Sequence, residues 1–204
     1  MSPRVAEAGV RRAGPGRPRA EGHDERIIEA TLRLIDRGEP VTVNAVVAGS
    51  GVSRAALYRR WPSLTGLIAD ALDHGRVVPE FDPTADLRTT MTSMLFDRQV
   101  EARGVDYPLG RFRKRLELVM ADPDLQRAYW ESHARRRRES TLAALEAGVE
   151  RGELRPDLDL DACLDALLGV FYYQAVVRGS GMDDPDARHR CRQAFETVWR
   201  GMAA

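Results

Sequence analysis

The sequence predicts an all-α protein, with an N-terminal three-helix head and a C-terminal helical bundle. Three observations carry that expectation. Residues 42–61, TVNAVVAGSGVSRAALYRRW, read as two short helices around a tight turn. Apolar residues then recur at steps of three and four through the later segments, the spacing that gathers them on one helical face. Between those segments stand breaks of glycine, proline and aspartate, at 79–83, 103–104, 122–123, 152 and 179–185. A chain of 204 residues is long enough for one small and one larger unit with a proper core.

Residues 1–20 are rich in proline, glycine and arginine and lack periodicity, so they are expected to be disordered when free. They hold the run Gly16-Arg17-Pro18-Arg19 after Arg11-Arg12. Two readings stand: a passive leader, or an extended arm that sets Arg17 and Arg19 in a narrow minor groove of DNA. In the 42–61 stretch, Val43, Val46 and Val47 supply the buried side of the first short helix. Gly51 follows, where the turn between helices needs a positive φ at low steric cost. Val52 packs inward, and Ser53 is a natural N-cap for the next helix. Ala56, Leu57 and Trp61 fall on that helix's inner face, which leaves Arg54, Ala55, Tyr58, Arg59 and Arg60 outward or flanking. A short helix with small and basic residues at its leading end suits the major groove of double-stranded DNA. Arg54 and Ala55 are expected at base edges and Thr42 and Tyr58 at phosphates, with Ser53, Arg59 and Arg60 beside them.

Taken in order and spacing, Thr42, Gly51-Val52-Ser53 and Leu57-Tyr58, followed by Arg59-Arg60-Trp61-Pro62-Ser63, resemble the helix-turn-helix of the tetracycline-repressor (TetR) family. Ile27, Ile28, Thr31, Leu34 and Ile35, ending at Gly38, resemble that family's first helix. The likeness covers about residues 17–75; the rest matches only in helical character and length. Many members carry a Gly-Arg-Pro element like the one here, which favours the arm reading. Leu64 stands where the family usually has a lysine that grips a phosphate, and Val47 replaces a usual alanine. Gly49 places a flexible residue near the end of the second helix, at roughly 1 kcal/mol of helix propensity. None of these removes the base-reading surface. The resemblance implies a one-component regulator, a repressor by preference, that binds a palindromic operator as a homodimer and carries an effector site in its body.

A fourth helix is expected from the N-cap Ser63 through Leu64, Leu67, Ile68, Ala71 and Leu72 to about Val77, joining head to body. The chain then divides into an arm at 1–20, a DNA-binding unit at 21–78 and an effector-binding and dimerisation unit at 79–204. Helical patterns resume with Leu87, Met91, Met94, Leu95 and Val100, then with Leu109, Phe112, Leu116, Val119 and Met120, then in a long helix from about Asp124 to Gly152. Arg135 to Arg138 point in four directions, so they are read as a solvated, partly interfacial segment in which Glu131 and Glu139 pair weakly with Arg135. The last two helices are the clearest: Leu160, Cys163, Leu164, Leu167, Leu168, Phe171 and Tyr172, then Ala187, Cys191, Ala194, Phe195, Val198, Trp199 and Met202. Such a hairpin cannot cover both its own stripes and the flanking Tyr173, Val176 and Val177. A matching hairpin from a second copy is expected, with Leu164, Leu168, Phe171, Tyr172, Phe195 and Trp199 at the dimer interface.

Net charge is zero, but residues 1–65 hold 11 arginines against seven acidic residues, a balance of +4, and the remainder balances at −4. A basic end and an acidic body suit a protein that lays one end on phosphates. Cys163 and Cys191 read as small buried hydrophobes, and His23, His74, His133 and His189 show no metal spacing. No signal-peptide segment and no membrane span are read from the chain, so a cytoplasmic protein is expected. Nor is there a nucleophile elbow, a phosphate-cradling loop or a carboxylate pair beyond ordinary helix surfaces, so no enzyme, metal or cofactor is expected. Asp157, Asp159, Asp161 and Asp165 are read as charges that complement the start of the penultimate helix. Met91, Met94, Phe112, Met120, Tyr129 and Trp130 are core residues in the plainer reading. The resemblance to the family implies instead that they line a cavity for a small apolar effector, for which methionines suit an adaptable wall. The alternative is an architectural DNA-binding dimer with no effector, which a filled body would favour.

Overall fold

Threonine or serine opens three of the head's helices. The computed structural model describes residues 21–76, 78–82, 84–97 and 109–204; Arg17, Arg19, Val77, Val100 and the 103–104 break lie outside the described residues. Helix α1 is Glu21–Asp36, α2 Val43–Ser50, α3 Arg54–Arg60 and α4 Leu64–Asp73. Thr42 Oγ1 accepts from Ala45 N at 3.2 Å, Ser53 Oγ from Ala56 N at 3.2 Å and Ser63 Oγ from Gly66 N at 3.0 Å. Each cap satisfies an amide that the first helical turn leaves unpaired. Gly51 ends α2 with φ 66°, a left-handed conformation that a side chain would strain. Helix α4 stops at Asp73, short of the expected Val77, because the chain turns at His74 and Gly75.

The body begins with α5 (Leu87–Thr92), which runs on as a π turn over Ser93–Asp97. After α6 (Leu109–Ala121) come α7 (Pro123–Tyr129), a second π turn at Trp130–Ala134 and α8 (Arg135–Glu150). The long helix expected from Asp124 to Gly152 is thus continuous in extent but dislocated in phase. Helix α9 (Leu160–Tyr172) extends through a third π turn, Tyr173–Val177, and α10 (Pro185–Met202) follows. Asp122, Asp159 and Asp184 cap α7, α9 and α10 through backbone amides, and proline stands at the first position of α7 and α10. No strand occurs among the described residues; an isolated bridge between Leu154 and Ala203 ties the C-terminus to the turn after α8.

Two clusters of buried side chains result. One joins Ile27 and Ile35 of α1, Val46 of α2, Leu57 of α3 and Leu67 and Leu72 of α4 to Val119, Leu125 and Tyr129. The head therefore rests directly on α6 and α7. The other gathers Leu87, Met91, Leu95 and Phe96 with Leu145, Leu164, Leu167, Cys191, Phe195 and Trp199. Gly148 admits the close approach of α5 to α8: a Cβ there would lie 2.2 Å from Leu87 Cδ2.

Burial corrects part of the expected interface. Leu164, Phe195 and Trp199 are covered within the protomer, where Phe195 stacks on Trp199 and meets Phe96 edge-on. They have little surface left for a partner. Leu168 and Phe171 are half-buried, and the apolar groups left open at the end of α9 are Tyr172, Tyr173, Val176 and Val177, 46 to 64% exposed. A second correction concerns hydropathy. Leu160–Val177 forms one 18-residue helical stretch of mean hydropathy 1.4, long and apolar enough by length and composition to span a membrane, with 17% of it buried. The π turn prolongs α9, and Asp161 and Asp165 are the charged residues in a stretch whose other strongly polar member is Gln174.

Candidate nucleic-acid interface and effector cavity

The outer side of α3 presents Arg54, Ala55, Tyr58 and Arg59 to solvent, beside Thr42 and Ser53 at the two caps. Both cap hydroxyls use a lone pair on their own helix, which leaves each O–H proton available to a phosphate oxygen. Arg54 donates to Oδ1 of Asn44 on α2, an exposed residue that sequence reasoning did not single out. The bond steadies the guanidinium across the turn. Arg60 is engaged towards α1 instead: its Nε lies 3.0 Å from Asp24 Oδ2 and its guanidinium covers the Trp61 ring at 5.4 Å. This exposed pair links the end of α3 to α1.

Behind the head lies a cavity of about 530 Å³. Of the six residues expected to line it, the structure brings together Met94, Phe112, Tyr129 and Trp130. Met91 is fully buried in the second core, and Met120 is 72% exposed on the outer side of α6. Neither lines the cavity: Met91 is enclosed by the second core and Met120 points to solvent. Leu95, Leu168, Phe171, Tyr172 and Met182 complete the apolar walls, and Arg76, Arg137, Thr141 and Gln174 add polar groups. All three π turns contribute lining residues. Widened turns of this kind recur at functional sites because they re-aim side chains.

A partly buried polar chain joins the cavity to α3, and it was not read from the sequence. Trp61 Nε1, at the C-cap of α3, donates to Asp70 Oδ2 at 2.7 Å. The other oxygen of Asp70 lies 2.9 Å from His133 Nε2, and His133 Nδ1 lies 3.1 Å from Asp73 Oδ2. The Nδ1 contact is close but off the hydrogen-bond line, an ion pair more than a hydrogen bond. Asp73 Oδ1 accepts from Arg137 Nη1 at 2.6 Å and from the Tyr129 hydroxyl at 3.1 Å. Burial alone would lower the pKa of His133, but hydrogen bonds and charge from Asp70 and Asp73 outweigh it and raise the value to about 9. His133 is therefore a cation at neutral pH. Burial tends to raise Asp73, yet His133 and Arg137 hold it at about 2; Asp70 is also lowered, against burial, by His133 and Trp61.

Two expectations change accordingly. His133, isolated in sequence, is clamped between two carboxylates. Arg137 and Arg138, read as part of a solvated segment, have side chains only 12% and 14% exposed. Arg138 grips Asp161 and Asp165 on the first turns of α9, so of the four aspartates there only Asp159 serves as the cap. Arg135 pairs with Glu139 as expected. The available signal was spacing: Asp70 and Asp73 share one face of α4, and Tyr129, His133 and Arg137 recur every four residues. Burial raises both thiols, Cys163 and Cys191.

A capped, turn-linked helix pair with an outward basic face, held on a helical body, defines a helix-turn-helix DNA-binding protein. Residues 27–71 match the family model described as "Bacterial regulatory proteins, tetR family", and residues 109–194 match "Tetracyclin repressor-like, C-terminal domain". The HTH-type transcriptional regulator YdeS of Bacillus subtilis is 29% identical over 193 residues, 90% of this chain and 93% of that protein. Among solved structures, a TetR transcriptional regulator from Agrobacterium tumefaciens shares the fold with a TM-score of 0.62 at 18% identity, over 89% of this chain and 94% of that one. A transcriptional regulator from Saccharomonospora viridis, solved in complex with choline, gives a TM-score of 0.53 at 18% identity, over 89% and 97% of the two chains. This chain belongs to the TetR family of transcriptional regulators.

Proposed function

We propose that the chain is a ligand-responsive repressor that binds a palindromic operator as a homodimer through residues 42–61. The observation that carries the reading is the polar chain from Trp61 through Asp70, His133 and Asp73 to Arg137 and Tyr129 in the cavity wall. A molecule that re-engages Arg137 or Tyr129 acts on Asp73, and so on α4 and the reading helix before it. A ligand with different affinity for two positions of α4 then shifts the population competent for DNA. In this reading Arg54 and Ala55 meet base edges, and Thr42, Ser53, Tyr58 and Arg59 meet phosphates, with Arg60 behind them. Arg17 and Arg19 of the arm enter the minor groove, and a partner's hairpin covers Leu168, Tyr172, Tyr173, Val176 and Val177. Residues 21–78 act as the DNA-binding unit, residues 79–204 as the effector and dimer unit, and the protein works in the cytoplasm.

The choline complex of the Saccharomonospora viridis regulator is a precedent for a small organic ligand in this fold. A cavity of about 530 Å³ falls inside the range of roughly 300–1,000 Å³ typical of ligand sites. It weighs against an architectural dimer with no effector. Selection of bound duplexes from a random pool, with sedimentation of the free protein, tests the proposal. Inverted half-sites about one helical turn, ~34–36 Å, apart and a dimer are expected. Enrichment of a single non-repeated site by a monomer would overturn it.

A further inference from the structure

Three guanidinium groups converge on the Tyr129 hydroxyl, two of them, those of Arg76 and Arg137, in the cavity wall. Arg76 Nη1 is aimed at the Tyr129 hydroxyl at 2.6 Å, Arg137 Nη2 at 2.9 Å and Arg115 Nη1 at 3.1 Å, while the hydroxyl donates its own proton to Asp73. A phenol oxygen has two lone pairs, so three guanidinium groups converge on two acceptor sites. Tyr129, Arg76 and Arg137 all face the cavity. The remaining walls are apolar and largely aromatic, with Phe112, Trp130, Phe171 and Tyr172 among them. We infer that the cavity takes an organic anion, an acid head on an apolar and preferably aromatic body, with the head bound by Arg137, Arg76 and the Tyr129 hydroxyl. This rests on the ligand-responsive reading above.

A carboxylate supplies two oxygens and about four lone-pair sites, which relieves the crowding at the hydroxyl and forms charge-assisted bonds with guanidinium groups. A quaternary ammonium fits poorly. Two of the aromatic rings that could cradle it already carry cations: the Arg115 guanidinium lies 4.9 Å from the Phe112 centroid and 5.4 Å from that of Tyr129, and Arg137 lies 6.0 Å from Tyr129. Asp165, the carboxylate in the wall, is held by Arg138 at 2.7 Å. A neutral body of the same shape gains the apolar contacts but leaves the donors where they are. An acid head also competes with Asp73 for Arg137 and Tyr129, so acid and operator bind antagonistically.

Calorimetry on the full chain with 2-naphthoate, its neutral counterpart 2-naphthamide and choline tests the assignment. The acid is expected to bind at least about tenfold more tightly than the amide, with no measurable binding of choline. In Arg137→Gln the preference for the acid over the amide should fall to within about threefold. Equal affinity for acid and amide, preferred binding of choline, or no binding of any of the three overturns the inference. Should Arg137→Gln fail to fold, the acid–amide comparison on the unaltered protein still decides, and Arg76→Gln serves as the second variant. Adding the three compounds to the protein on its selected operator separates the two proposals. Release by the amide or by choline, and not by the acid, would sustain ligand response and discard the anion.

Discussion

Replacing His133 with asparagine removes the cation that holds Asp70 and Asp73 together while keeping a polar side chain of moderate size. The rise of His133 from 6.5 to about 9 corresponds to about 3 kcal/mol in favour of the charged form in the folded state. Its side chain is 10% exposed, but its partner Asp70 is 35% exposed, so about 3 kcal/mol is an upper figure from which solvent screening subtracts. Because the folded value lies above the unfolded one, the contribution is complete below about pH 6.5 and is lost as pH rises through about 9. Urea unfolding at fixed protomer concentration, from about pH 6 to 10, is the assay. The unaltered protein should shed up to about 3 kcal/mol more than His133→Asn across that window, and the two curves should converge at its upper end. Parallel curves would refute the account, since a purely steric role of His133 has no such pH dependence. At the acid end Asp73, held at about 2, contributes stability present above about pH 3.8 and lost as pH falls through 2.

The remaining predictions follow from placement. Arg54→Ala should lose about 1–3 kcal/mol on the selected operator and relax preference at one position, whereas Tyr58→Phe should weaken all duplexes evenly; equal losses by Arg54→Ala on operator and random DNA in fluorescence anisotropy would refute the base-edge role. Val177→Glu, at a site 64% exposed, should give a folded monomer in sedimentation, while Trp199→Glu, at a site only 7% exposed, should unfold the protomer; a dimeric Val177→Glu would place the interface elsewhere. Gly148→Ala should destabilise by about 1–3 kcal/mol in thermal melts, and Leu87→Val should restore part of that loss by withdrawing the methyl nearest the new Cβ. Deleting residues 1–20 should flatten the log–log salt dependence of DNA binding by roughly one unit per lost phosphate contact, and an unchanged slope would make the arm a passive leader.

Much of the head was legible in the chain because its determinants are local. Thr42, Ser53 and Ser63 cap the helices they precede, Gly51 takes the left-handed turn, and Leu57 and Trp61 fall inward by helical spacing alone. Each of these choices depends on neighbours within about four positions, where sequence distance and spatial distance coincide. The same holds for the apolar stripes of α9 and α10. Which of their aromatics face inward was a different matter: Phe195 and Trp199 share a stripe that either a partner or the protomer could have covered, and contact with Phe96, 99 residues before Phe195, settled it. The polar chain likewise pairs Asp70 and Asp73 with side chains some 60 residues away. Only the docking of α4 on α7 and α8 selects those partners from the many acids and arginines in the chain. The π turns add a further reason. Each inserts a residue that rotates every later side chain by about 100° relative to an unbroken helix. Met91 lies wholly in the second core, while Met94, inside the first π turn, packs against that core and also lines the cavity, although a regular pattern treats them alike. Local chemistry wrote the helices and their caps; the phase between helices, a property of the packed whole, decided which residues meet.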